Sequence, residues 1–163
     1  MNFNGMTALV TGASSGLGEE FAGQLAAQGC NLVLVARSED KMNRLAEPLR
    51  QRCKVQVTVI AADLSSREAV QRVIDEVNRQ GIKGDLLVNN AGFGLFENFV
   101  DTPLKRQMEQ VDVNVRALVT LTHAFTPGMV AAGRGGDQHC LQCCLSTIGW
   151  RRCVRGVEGI RAV

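Results

Sequence analysis

The chain contains no tyrosine. Any acid–base chemistry it performs therefore has no phenol to draw on. Aromatic residues as a group reach only 4%, and prolines number three in 163 residues. No apolar run is long enough to span a bilayer. The opening stretch MNFNGMTALV lacks both the basic start and the long apolar segment of a secretory leader. The expected location is therefore the cytoplasm, with no membrane partner. Charge of neither sign is in excess: a net charge of +2 removes the electrostatic case for a nucleic-acid partner. In a reducing compartment the six cysteines do not imply disulfides. No internal repeat and no low-complexity linker breaks the chain.

What is present is regular alternation from residue 6 to about 134. MTALVTG, NLVLVA, VQVTVIAAD and DLLVNN are short apolar, β-branched runs that read as buried strands. Between them lie helical segments: Leu17 to Gly29, then SEDKMNRLAEPLRQRC, then Ser66 to Gln80 with Val70, Val73, Ile74 and Val77 on one side. Pro48 is expected to kink or end the second of these helices. Continuous apolar strands alternating with amphipathic helices predict an α/β fold, a doubly wound parallel sheet of about four strands covered on both faces. A long helix follows, opened by DTP with proline in its first turn. Leu104, Met108, Val111, Val115, Leu118, Phe125 and Met129 form a stripe along it. That stripe is expected to face the core, and its length would also suit a partner helix.

The segment TGASSGLG joins the first strand to the first helix. Gly12 suits a tight turn, Gly16 a close backbone approach to phosphate, and Gly18 close packing of helix on strand. Ser14, Ser15 and Leu17 complete this candidate cradle, where free N–H groups at the helix start would face an anion. Sites for NAD place a carboxylate at the end of the second strand, roughly 20 residues beyond the glycine turn. Here that strand ends in Ala36 and Arg37. A guanidinium fork suits a 2′-phosphate, with the Ser14 and Ser15 hydroxyls nearby, so NADP(H) is favoured over NAD(H).

The spacing TGxxxGxG resembles the short-chain dehydrogenase/reductase family, and three further segments match that family in order. AADL places Asp63 and Leu64 where the family contacts adenine. NNAG places Asn90 at the sheet centre, with Ala91 and Gly92 beside the cofactor. VDVNV places Asn114 at the position of the catalytic-tetrad asparagine, which in the family kinks the helix and holds a water of the proton relay. The resemblance implies a Rossmann-type NAD(P)-binding domain, here the N-terminal part over residues 1–134. It also implies hydride transfer with a small carbonyl or alcohol substrate, and the pairing of copies into homo-oligomers seen among relatives.

The family pattern stops after Gly136. The tetrad serine and the Tyr-x-x-x-Lys that should follow are missing, and no lysine occurs after Lys105. Asn114 is thus the one tetrad member present, and the chain as written is expected not to turn over substrate. Residues 135–163 instead carry DQHCLQCCLSTIGWRRC. His139, Cys140, Cys143 and Cys144 could be read as metal ligands, but they have no second ligand pair of the usual zinc spacing; a cytosolic redox pair is another reading. No metal is expected. The third reading is an out-of-frame peptide. Joining the last two bases of each codon to the first of the next permits Ile, Asn, Ile and Val at positions 137 to 140. Ser, Ser and Val follow, the tetrad serine standing where Gln142 is. The same shift permits Tyr at Val154, Ser at Val157, and Lys or Arg at Glu158. The expectation is a frame slip near the glycine codons of Gly135 and Gly136. Removing one nucleotide there should restore Tyr-x-x-Ser-Lys, with further helices and strands encoded downstream. Sequencing the gene across and beyond these codons checks this, and a downstream frame unlike the family's second half would refute it.

Overall fold

The structure, a computed structural model, describes residues 3–131; the cysteine-rich tail and its candidate metal, redox and out-of-frame readings lie outside the described residues. Four strands, β1 (Thr7–Thr11), β2 (Asn31–Ala36), β3 (Val57–Ala61) and β4 (Leu86–Val88), form one sheet in the order β3-β2-β1-β4. All three pairings are parallel, with Leu9 opposite Val33 on one side and Leu87 on the other. The helices are α1 (Gly16–Ala27), α2 (Glu39–Cys53), α3 (Arg67–Arg79), α4 (Leu104–Val111) and α5 (Leu118–Met129). A π-helical segment, Asp112–Ala117, joins the last two.

Successive strand residues point to opposite faces, so each strand feeds two cores. Ala8, Val10, Leu32, Leu34 and Val88 pack with Leu25 of α1 and Met42 and Ala46 of α2. Leu9, Val33, Val35 and Leu87 pack on the other face with Val70, Val73, Ile74 and Val77 of α3 and with Leu121, Phe125 and Met129 of α5. The doubly wound parallel arrangement read from the alternation is therefore the fold. The chain winds outward from β1 to β3, then crosses back to place β4 on β1's free side. That reversal opens a crevice at the carboxyl ends of β1 and β4, where ligands of such sheets bind.

Two local expectations are corrected. Pro48 does not end α2, which continues past it to Cys53. An interior proline costs roughly 3 kcal/mol, but Leu45, Leu49 and Cys53 all pack on the core around it. The guanidinium of Arg50 also donates twice to the carbonyl of Val57, at 3.2 and 2.5 Å, which ties the last turns to β3. The second correction concerns the long helix. Leu118, Phe125 and Met129 are buried, but Leu104, Met108, Val111 and Val115 are exposed, and α4 buries no residue. The wider turns of the π-helical segment alter the helical phase at Asp112–Ala117, so the stripe that a straight helix would present to the core leaves it upstream of Ala117. Pro103 stands just before the first helical residue of α4 and caps it instead of lying in its first turn.

Cys30 is fully buried, its thiol donating at 3.4 Å to the carbonyls of Met6 and Asn31. Burial pushes its pKa up from 9.0 to about 12, because a thiolate has no solvent there. A raised pKa stabilises the fold fully below the unfolded value and loses that contribution as pH rises through the folded one. Stability should therefore decline from pH 9.0 towards about 12. In Cys30→Ala, denaturant midpoints measured over that range should decline less steeply.

Candidate cofactor cleft

β1 ends at Thr11, which is buried although polar. Its hydroxyl donates to the carbonyl of Val88 at 3.3 Å and accepts the N–H groups of Asn90 and Ala91, each at 3.0 Å. Asn90 answers from β4's side: its Nδ2 donates to the carbonyls of Thr11 at 3.0 Å and Gly12 at 3.3 Å. The glycine turn is thus bolted to the end of β4. Gly12 holds φ +67, and a Cβ there would come within 2.9 Å of both the Ala91 Cα and the Asn90 amide. At Gly18 a Cβ would collide with the carbonyl oxygen of Gly12. Only glycine lets α1 seat this close to the turn.

The other predicted residues take their places around this bolt. Gly16 opens α1, and its N-cap Ser15 is extended, with no side-chain bond to the first turn. The first N–H groups of the helix therefore lack the capping oxygen that a serine commonly supplies. Arg37, immediately after β2, is exposed and makes no hydrogen bond or ion pair among the described residues. Asp63 follows β3. Its carboxylate accepts both the N–H and the hydroxyl of Ser65, at 3.0 and 2.9 Å. These hold its pKa below the usual carboxylate value, led by the backbone N–H, opposed by partial burial and helped by the Ser65 hydroxyl and the charge of Arg37.

A cleft of about 740 Å³ runs across these strand ends. Of the predicted residues, Gly12, Ser14, Ser15 and Leu17 line it from the turn, Arg37 from β2, Asp63 and Leu64 from β3, and Asn90, Ala91 and Gly92 from β4. Gly16, Gly18 and Asn114 lie outside its lining. Asn114 sits in the π-helical segment, with both arms of its amide bound to the main chain of one residue: its Oδ1 accepts the N–H of Phe93 at 3.1 Å, and its Nδ2 donates to the Phe93 carbonyl at 2.8 Å. It touches the cleft through Phe93, which lines it.

Several residues here take no role from the sequence alone. Thr11 opens the TGxxxGxG segment but otherwise reads only as a strand end. Arg106, Glu109 and Val113 line the cleft from α4 and the π-helical segment. Arg106 lies 5.7 Å from the centre of the Phe93 ring and 2.9 Å from Glu109. The hydrophobic stripe drew attention to the other residues of that helix. The one cue available was that Arg106 and Glu109 are three apart, the spacing of neighbours on a helix.

The family profile described as short chain dehydrogenase matches residues 6–137. The chain belongs to the short chain dehydrogenase family. Sulfoacetaldehyde reductase 2 of Chromohalobacter salexigens is 38% identical over 130 residues, 79% of this chain and 51% of that protein. Human very-long-chain 3-oxoacyl-CoA reductase is 30% identical over 135 residues, 80% of this chain and 43% of that protein. Among solved structures, L-sorbose reductase from Gluconobacter frateurii, in complex with NADPH and L-sorbose, aligns with a TM-score of 0.76 at 34% identity, covering 82% of this chain and 51% of the reductase. The chain spans about half the length of the curated relatives it matches. No helix among the described residues is long and apolar enough to cross a membrane.

The packing at Gly18 sets a measurable cost. Overpacking a well-filled site costs about 1–3 kcal/mol, so Gly18→Ala should destabilise by that amount. Urea denaturation monitored by circular dichroism checks this, with Gly23→Ala, where a Cβ meets open space, as the tolerant comparison.

Proposed function

We propose that this chain carries the cofactor-binding half of an NADP(H)-dependent oxidoreductase that transfers hydride between the nicotinamide and a carbonyl or alcohol. The observation that carries the reading is the uncapped N-terminus of α1 opening on the same cleft as the guanidinium of Arg37, which has no hydrogen-bond or ion-pair partner among the described residues. An uncapped helix start offers backbone N–H groups and a partial positive charge to a pyrophosphate. Arg37 offers a planar donor fork to a 2′-phosphate, with Ser14 and Ser15 as further donors. No carboxylate stands at the end of β2 to bind a free ribose diol. Asp63 and Leu64 would border the adenine, and Asn90 to Gly92 the nicotinamide side. The complex of L-sorbose reductase with NADPH supports the same cofactor.

When bound, NADP(H) supplies or accepts the hydride. The chain's own residues bind and orient. The turn holds phosphate, Arg37 selects the phosphorylated ribose, and Asn114 pins the loop at Phe93 against the helix. Reduction of a carbonyl also needs an acid beside the developing alkoxide, typically contributing about 10²–10⁴-fold. With no tyrosine and no family-spaced serine or lysine, the chain binds cofactor without turning over substrate, and the domain over residues 1–134 is followed by a non-family tail.

Titration with NADPH and NADH checks the assignment. Losing a charge-assisted pair costs about 1.5–3 kcal/mol, so Arg37→Asp should weaken NADPH binding roughly ten- to a hundredfold and leave NADH nearly unchanged. Equal affinity of the unmutated chain for both cofactors would overturn it. A turnover assay with small ketones on the same samples distinguishes a dinucleotide-binding module, which binds and stays silent, from a working enzyme.

A further inference from the structure

Arg116 lies in the π-helical segment with Asn114, yet its guanidinium reaches a different strand end. Its Nη2 donates to the carbonyl of Ser65 at 2.7 Å and pairs with Asp112 at 2.9 Å. The Arg116 and Asp112 side chains are only 23% and 26% exposed, so solvent screens this pair less than the surface pair of Arg79 and Glu76, at 71% and 33%. Ser65 in turn gives both its N–H and its hydroxyl to Asp63. Holding the Ser65 residue by its carbonyl therefore restrains the N–H and hydroxyl that hold the Asp63 carboxylate. On its other flank the same helical segment holds Phe93 through Asn114. One short helical segment thus grips the loop after β3 with one residue and the loop after β4 with another.

We infer that Arg116 is a positioning residue that locks the Asp63 loop to the Phe93 loop held by Asn114, so that the adenine end of the cleft and the Phe93 end keep a fixed separation. The inference rests on the dinucleotide reading for its purpose. Arg116 does not line the cleft itself; it bonds Ser65, which does, and acts through Ser65 on Asp63. A ligand that spans both ends gains from their being held in register before it arrives, because it need not order them on binding.

The test uses the whole chain with Arg116→Ala, and with Arg79→Ala as an ion-pair control away from the cleft. In cofactor-free protein, hydrogen exchange should quicken at the amides of Ser65, Ser66 and Phe93, and stay unchanged in the strand amides of Val33 and Leu34. NADPH should bind about tenfold more weakly, and adenosine 2′,5′-bisphosphate, which reaches only the adenine end, should weaken less. Arg79→Ala should alter neither measurement. If Arg116→Ala does not fold, Arg116→Lys, which keeps one donor, should show the same exchange pattern at smaller amplitude. Exchange that is unchanged at these amides, or that quickens evenly across the sheet, overturns the inference. So does a variant with selective exchange but undiminished NADPH affinity. If the unmutated chain binds no NADPH, the dinucleotide reading fails instead, and the exchange pattern still decides whether Arg116 couples the two loops.

Discussion

The reciprocal bond between Thr11 and Asn90 is the constraint on which the cleft depends. A strand end followed by a glycine turn has several ways to leave a sheet. Here the Thr11 hydroxyl accepts the N–H groups of two successive residues beyond β4, while the Asn90 amide donates to the carbonyls of the last residue of β1 and the first beyond it. Four peptide groups that leave the ladder are thereby paired by two side chains, which matters because an unpaired buried polar group costs about 1–3 kcal/mol. The turn then has one position relative to β4, and α1 inherits its direction from the turn through the contact at Gly18.

The electrostatics of the cleft follow from that placement. The start of α1 is left without a side-chain cap, Arg37 without an ion-pair partner among the described residues, and both face the same space. Asp63 is the acid of the β3 end, and its charge is already engaged by the N–H and hydroxyl of Ser65. What remains unsatisfied is positive at two points, a pattern complementary to a ligand with two separated phosphate groups.

The π-helical segment connects this cleft to the far side of the sheet. Its altered phase sends the α4 stripe outward, and also turns Asn114 towards Phe93 and Arg116 towards Ser65. The exposed Leu104, Met108, Val111 and Val115 are the other side of the same geometry.

The sequence by itself determined the alternation of strands and helices, the glycine turn, and the chemistry offered at each strand end. Those depend on local periodicity and on residue type: a two-residue period for strands, an amphipathic face for helices, and a glycine wherever a Cβ has no room. Tertiary structure alone decided the rest. That Pro48 stays inside a helix depends on the packing of Leu45 and Leu49 and on the grip of Arg50 on β3, which outweigh a local preference. That the long apolar stripe divides at the π-helical segment depends on what its neighbours leave room for, since residue spacing cannot distinguish a straight helix from one that changes phase. Thr11, Arg106 and Arg116 meet partners 79, 13 and 51 residues away in the chain, and no local pattern carries information about which residue will be met at such distance.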